Sequence, residues 1–179
     1  MTAQLDTPAP LIVVMGATGC GKSTVGAALA ERLRVPFQDA DDLHPASNID
    51  KMSQGVPLDD EDRRPWLIAV GDELQARERT GLVVACSALK VAYRDVLRSR
   101  APQIFFVHLD VAKSVIASRM VTRLDHFMPL SLLDSQVAAL EPLTSEERGI
   151  TVDATRKVDR IVAIATNALR LALASPEYA

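Results

Sequence analysis

Cysteine is nearly absent. Cys20 and Cys86 are the only two in 179 residues, and a pair of thiols without metal-ligand spacing builds neither a structural zinc site nor a disulfide framework. A reducing, cytoplasmic setting is the expectation. Positive charge is also in short supply, with 20 basic against 23 acidic residues. No cluster of Lys and Arg is dense enough to serve as a nucleic-acid footprint, so a small-molecule partner is expected in place of DNA or RNA. Long apolar runs are missing too: Val158 to Ala174 is interrupted by Asp159, Arg160, Asn167 and Arg170, which suits a packed terminal helix better than a membrane span. Residues 1–10 have no basic region and no long apolar stretch, and read as a flexible tail ahead of one domain over residues 11–179. No repeat or low-complexity segment divides that domain. Two motif absences narrow the function further. No Asp is followed by Gly three residues on, and N-K-x-D does not occur, which removes most of the case for a GTP-binding switch.

What is present begins with Gly16-Ala17-Thr18-Gly19-Cys20-Gly21-Lys22-Ser23. It follows the apolar run Leu11 to Met15, precedes a helical pattern, and fits the phosphate-binding loop G-x-x-x-x-G-K-[ST] at every fixed position. Glycines let the backbone turn tightly and bring successive N–H groups against phosphate oxygens, and the helix that starts there adds its positive end. Lys22 is placed to reach the β- and γ-phosphates, Ser23 to offer its hydroxyl to Mg²⁺, and Thr24 completes the nucleotide-binding run.

Further along, Val25, Leu29 and Leu33 give the following helix an inward stripe, and a short strand over 36–38 ends in Asp39-Ala40-Asp41. Asp39 and Asp41 are the two carboxylates at that strand end, one expected to face an acceptor while the other reaches the metal shell. Asp59 caps a helix carrying Trp66, Val70 and Leu74, with Pro65 near its first turn. Leu82 to Cys86 and Ile104 to Leu109 read as buried strands, and Asp110 as the N-cap of a helix reaching about Thr122, the alternative being a strand-end Asp that holds water around Mg²⁺ as in motor or ATPase modules. A polar interruption over about 123–131, with Arg123, Asp125, His126 and Pro129, has the composition of a lid. A helix over 131–141, a strand over 150–153 and a closing helix follow. Strands alternating with helices imply an α/β, three-layer phosphate-loop NTPase fold, a five-stranded parallel sheet covered on both faces. Arg63, Lys90, Arg94, Arg119 and Arg123 are the cations available to follow a transferring phosphoryl group or hold an acceptor.

Asp39-Ala40-Asp41, Leu43-His44-Pro45, Asn48, Lys51-Met52, Pro57-Leu58-Asp59-Asp60, Asp62-Arg63 and Pro65-Trp66-Leu67, then Cys86-Ser87-Ala88-Leu89-Lys90, Tyr93-Arg94-Asp95, His126-Phe127, Ser135-Gln136 and Leu140-Glu141-Pro142 resemble the gluconokinase family in order and spacing. The resemblance implies ATP-dependent phosphorylation of D-gluconate at its 6-hydroxyl with Mg²⁺, a fold like that of shikimate and nucleoside monophosphate kinases with a moving lid, and assembly as a homodimer. It assigns Asp41 as the base or orienter of the hydroxyl, Asp39 to the metal, Arg63 to the substrate carboxylate, and His44, Lys90 and Arg94 to its hydroxyls or carboxylate. Arg123 would follow the phosphoryl group, and Arg119 would lie beside the adenine or the phosphates. Leu124-Asp125 departs from the small, flexible residue that often precedes His-Phe in the family. Two alternatives stay open: a kinase for another small acceptor such as shikimate or a nucleotide, and a nucleotide-binding module without turnover.

Overall fold

The computed structural model describes residues 9–121 and 130–174. β1 (Leu11–Met15), β2 (Phe37–Asp39), β3 (Leu82–Ala85), β4 (Phe105–Asp110) and β5 (Gly149–Asp153) form one sheet in the order β2-β3-β1-β4-β5, and every pairing is parallel. Continuous apolar sequence is what such a sheet demands, because helices cover both faces. β1 shows how the two sides divide. Ile12 and Val14 enter the core under α1 (Lys22–Leu33) and α7 (Val158–Leu173), with Leu29, Val107, Ile161 and Leu169. Leu11, Val13 and Met15 enter the opposite core under α3 (Asp60–Ala76) and α4 (Val91–Arg100), with Trp66, Val70, Leu74, Leu97 and Phe106. The remaining helices are α2 (Ala46–Ser53), α5 (Lys113–Val121) and α6 (Leu130–Ala139).

The chain leaves β1 for one side of the sheet, building β3 and β2, and later fills the other side with β4 and β5. The carboxyl end of β1 is therefore where the winding reverses, the place where open α/β sheets leave a crevice for ligands. The phosphate loop emerges there.

Three local expectations are corrected. β2 stops at Asp39, and Ala40–Leu43 form a 3-10 turn that Asp39 caps by accepting the Asp41 N–H, so Asp41 stands on that turn and not on a continuing strand. Asp110 is the last residue of β4, in register with Asp153, and its carbonyl accepts the Ala154 N–H at 2.8 Å. Because that pairing holds Asp110 extended, α5 begins only at Lys113 and Asp110 is not its cap. Pro65 lies in the second turn of α3, whose start is fixed by a reciprocal capping box between Asp59 and Asp62.

Candidate active site

Gly16, Gly19 and Gly21 have φ of 139°, 75° and 106°, values at which a side chain would be strained. At Gly16 a Cβ would also lie 2.9 Å from both Cys20 Sγ and the Leu109 carbonyl. The loop is thus wrapped against β4 as closely as backbone allows. Ala17 and Cys20 are buried beneath it, and burial pushes the Cys20 thiol up. Gly21 caps α1 without a side chain, so the leading N–H groups of that helix, over Lys22, Ser23 and Thr24, are offered to an anion in the loop. Lys22 Nζ donates to Ala17 O at 3.1 Å, folding its stem back across the loop.

Across the crevice, Ser23 Oγ donates to Asp39 Oδ2 at 2.7 Å, and Asp39 Oδ1 accepts the Asp41 N–H at 3.2 Å. The hydroxyl and carboxylate named as metal ligands from sequence are therefore in contact. Hard oxygen donors of this number suit Mg²⁺, which keeps waters and phosphate oxygens for the rest of its shell; among the described residues no denser cluster of His, Cys, Asp and Glu occurs. Asp41 is open to solvent on one side, yet desolvation by its surroundings, reinforced by the Asp39 charge, raises its carboxyl above the usual aspartate value. A raised carboxyl is a stronger base toward a hydroxyl. Cys86, buried nearby at the end of β3, has its thiol pushed up to about 12 by burial and stays protonated.

His44 stacks on Trp66, with ring centroids 4.4 Å apart and planes 11° from parallel. Trp66 Nε1 donates to Ala40 O at 2.7 Å, which pins the 3-10 turn carrying Asp41 onto α3. Buried Asn48 donates to Asp62 O at 2.8 Å and meets His44 Nδ1 at 3.3 Å, so its remaining amide proton makes Nδ1 the acceptor and leaves the His44 proton on Nε2. Desolvation lowers the His44 pKa, which keeps the ring neutral at neutral pH.

A cationic cluster continues from there. Arg63 on α3 stands 3.9 Å from Asp60 and its guanidinium carbon lies 5.9 Å from the centre of the Tyr93 ring. Lys90 Nζ donates to both Asp60 oxygens, at 2.7 and 2.9 Å, and sits 5.3 Å from the same ring. The Tyr93 hydroxyl also donates to Asp60. These hydrogen bonds, Lys90 foremost, hold the Asp60 carboxyl below its ordinary value. The phosphate loop, the Ser23–Asp39 contact, the Asp41 carboxyl and a set of cations thus share the carboxyl edge of one sheet.

The shikimate kinase family model matches residues 18–164 of this chain. The thermosensitive gluconokinase of Escherichia coli strain K12 is 48% identical over 141 residues, which cover 77% of this chain and 75% of that protein. The gluconokinase of Gluconobacter oxydans is 44% identical over 161 residues, covering 89% of this chain and 90% of that one. The chain belongs to the gluconokinase family. A crystal structure of a gluconokinase from Sinorhizobium meliloti 1021 superposes with a TM-score of 0.82 at 49% identity, covering 91% of this chain and 93% of that one. The stretch His44 to Trp66, which carries much of the gluconokinase resemblance, is the one that the stacked rings and the Asn48 hydrogen bonds fold into a single unit beside Asp41.

Arg94 does not belong to the gluconokinase acceptor site, contrary to the expectation. Its side chain is wholly buried, paired with Glu147 through Nε and, at 3.0 Å, through Nη2. Its remaining donors go to the carbonyls of Ala88, Leu89, Glu141 and Pro142 at 3.0–3.2 Å. With its hydrogen bonds directed inward, Arg94 ties the loop bearing Lys90 to the chain that follows α6. Arg119 donates to Cys20 O at 3.4 Å and Ala154 O at 2.8 Å, which places it beside the phosphate loop. Arg123, with Leu124, Asp125, His126 and Phe127, lies outside the described residues.

Sequence reasoning missed Asp60, Tyr93 and Gln136 as members of the site. Asp60 read as a favourable charge at a helix start, and nothing in its spacing signals that Lys90 and Tyr93 donate to it while Arg63 stands 3.9 Å away. Gln136 accepts the Thr18 N–H at 2.7 Å across 118 residues of sequence, a contact no local pattern encodes.

Proposed function

We propose that this chain transfers the γ-phosphoryl group of ATP to the 6-hydroxyl of D-gluconate, giving 6-phospho-D-gluconate and ADP. The observation that carries the reading is the contact between Ser23 and Asp39, which brings the nucleotide loop within two residues of Asp41. A hydroxyl set against Asp41 is then in reach of a phosphate held by the loop. The leading N–H groups of α1 and Lys22 bind the triphosphate, and Asp41 orients the attacking hydroxyl and receives its proton. Arg63 grips the substrate carboxylate in bidentate fashion, while Lys90 and neutral His44 address the remaining oxygens. Ser23 and Asp39 would hold Mg²⁺, which would supply neutralisation of phosphate charge. Arg119 supports the nucleotide side, and Arg123 follows the phosphoryl group as part of a lid over about 123–131.

The same reading treats residues 11–179 as one kinase domain acting as a cytoplasmic homodimer, without nucleic-acid or membrane partners. No helix among the described residues is long and apolar enough to cross a membrane. Measuring ADP release over a panel of sugar acids, shikimate and nucleoside monophosphates tests the substrate. Stimulation by gluconate above all others is expected, and its absence overturns the assignment.

A further inference from the structure

Two helices hold the phosphate loop, one by a donor and one by an acceptor. From α5, the Arg119 guanidinium donates to the carbonyl of Cys20 at 3.4 Å. From α6, the Gln136 carboxamide oxygen accepts the Thr18 N–H at 2.7 Å. The helices are joined to each other by an ion pair between Lys113 and Asp134. The far end of α6 is fastened as well: the Glu141 N–H donates to Leu89 O at 2.8 Å, the Glu141 carboxylate accepts the Val91 N–H, and Arg94 donates to the carbonyls of Glu141 and Pro142. Gln136 therefore stands on a helix anchored to the acceptor-side loop, and reaches from it to the phosphate loop.

Within the loop the Thr18 amide is treated differently from those that begin α1. The latter start a helix with no side-chain cap, whereas Thr18, on the limb entering from β1, is held by a side chain from a distant element. We propose that Gln136 is a positioning residue for the nucleotide phosphates. Its carboxamide fixes the direction of the Thr18 peptide, and with it the curvature that points the later amides at the phosphate oxygens. The acceptor must also be uncharged. A glutamate here would satisfy the same N–H but set a negative charge against the triphosphate, which is repulsive and only partly screened by salt. This inference rests on the proposed ATP-dependent reaction but not on the identity of the acceptor.

The test is calorimetric titration of Mg·ATP into wild type, Gln136→Met and Gln136→Glu without gluconate, together with melting temperatures and the two Michaelis constants. Methionine keeps the length and removes the acceptor; glutamate keeps the acceptor and adds charge. Expected for Gln136→Met is a loss of ATP affinity of about tenfold, the scale of one hydrogen bond, with the gluconate KM unchanged. Gln136→Glu is expected to melt like wild type and to bind ATP more weakly than Gln136→Met, by a margin that shrinks as salt is added. Wild-type ATP affinity in Gln136→Met overturns the proposal, as does a rise confined to the gluconate KM, which would make Gln136 an acceptor contact. Should Gln136→Met fail to fold, Gln136→Ala takes its place, since it also removes the acceptor and undiminished ATP affinity in it refutes the role. Failure of wild type to phosphorylate gluconate would reject the substrate assignment and leave the ATP titration interpretable.

Discussion

Asp41 carries a conflict between stability and chemistry that a single substitution exposes. Its carboxyl is raised by desolvation and by the Asp39 charge. For a group whose folded pKa lies above its unfolded value, the stabilising contribution is full below the ordinary aspartate range and is lost as pH rises through the folded value. At neutral pH the ionised Asp41 is thus a cost to the fold. Asp41→Asn is expected to raise the melting temperature at pH 7.5, and to lower turnover by about 10²–10⁴-fold, the usual contribution of a positioned base. Scanning calorimetry and the coupled ADP assay read the two effects; a lower melting temperature would show that the carboxylate stabilises its surroundings. Arg63 separates differently. Removing a charged hydrogen-bond donor costs roughly 1.5–3 kcal/mol, so Arg63→Ala is expected to raise the gluconate KM about 10- to 100-fold with little change in the ATP KM. An unchanged gluconate KM would take Arg63 out of the acceptor site.

Among the elements, the pair of Arg94 and Glu147 joins α4 to the segment leading into β5. Burial alone would push the Glu147 carboxyl up, but the hydrogen bonds from Arg94 and from the Thr144 N–H, the latter at 2.8 Å, outweigh it and hold the carboxyl below its ordinary value. The stabilisation is therefore present above the unfolded glutamate value and fades as pH falls through the folded one. Glu147→Ala leaves a buried guanidinium unpaired, which costs about 3–5 kcal/mol; urea unfolding at pH 7 is expected to show that loss, and at pH 4 a smaller one. This pair marks what a linear sequence does not reveal. An arginine at the right spacing for a ligand and an arginine that binds its own chain look alike until the tertiary partners are known, and Glu147 lies 53 residues from Arg94. The strands and the phosphate loop were legible because their signals are local: apolar runs, glycines, and the Lys-Ser pair at a helix start. Asp110 and Asp41 were misplaced locally for a related reason. Whether a polar residue ends a strand or begins a helix is decided by the neighbouring strand's hydrogen bonds, which in β4 continue to Asp110.

At the level of the whole molecule, the cleft is assembled from parts that contribute through different strands. The groups proposed for the nucleotide stand on the loop after β1, while those proposed for the acceptor stand after β2, on α3 and after β3. Both sets rest on one sheet, with β1 paired to β3 over four residues. Ligands that bind only the folded form stabilise it by mass action, about 2.7 kcal/mol at a hundredfold excess over Kd. Asp41→Asn should allow both substrates to be added together without appreciable turnover, because Lys22, Ser23 and Arg63 remain. In that variant Mg·ATP and gluconate are each expected to raise the melting temperature, and both together to raise it by at least the sum of the separate shifts. Lys22→Ala should abolish most of the ATP shift and spare the gluconate shift, because its charge lies on the nucleotide side. A gluconate shift that requires ATP to be present would mean that the acceptor groups are not assembled in the free molecule and that Asp60, Lys90 and Tyr93 rearrange only after the nucleotide is bound.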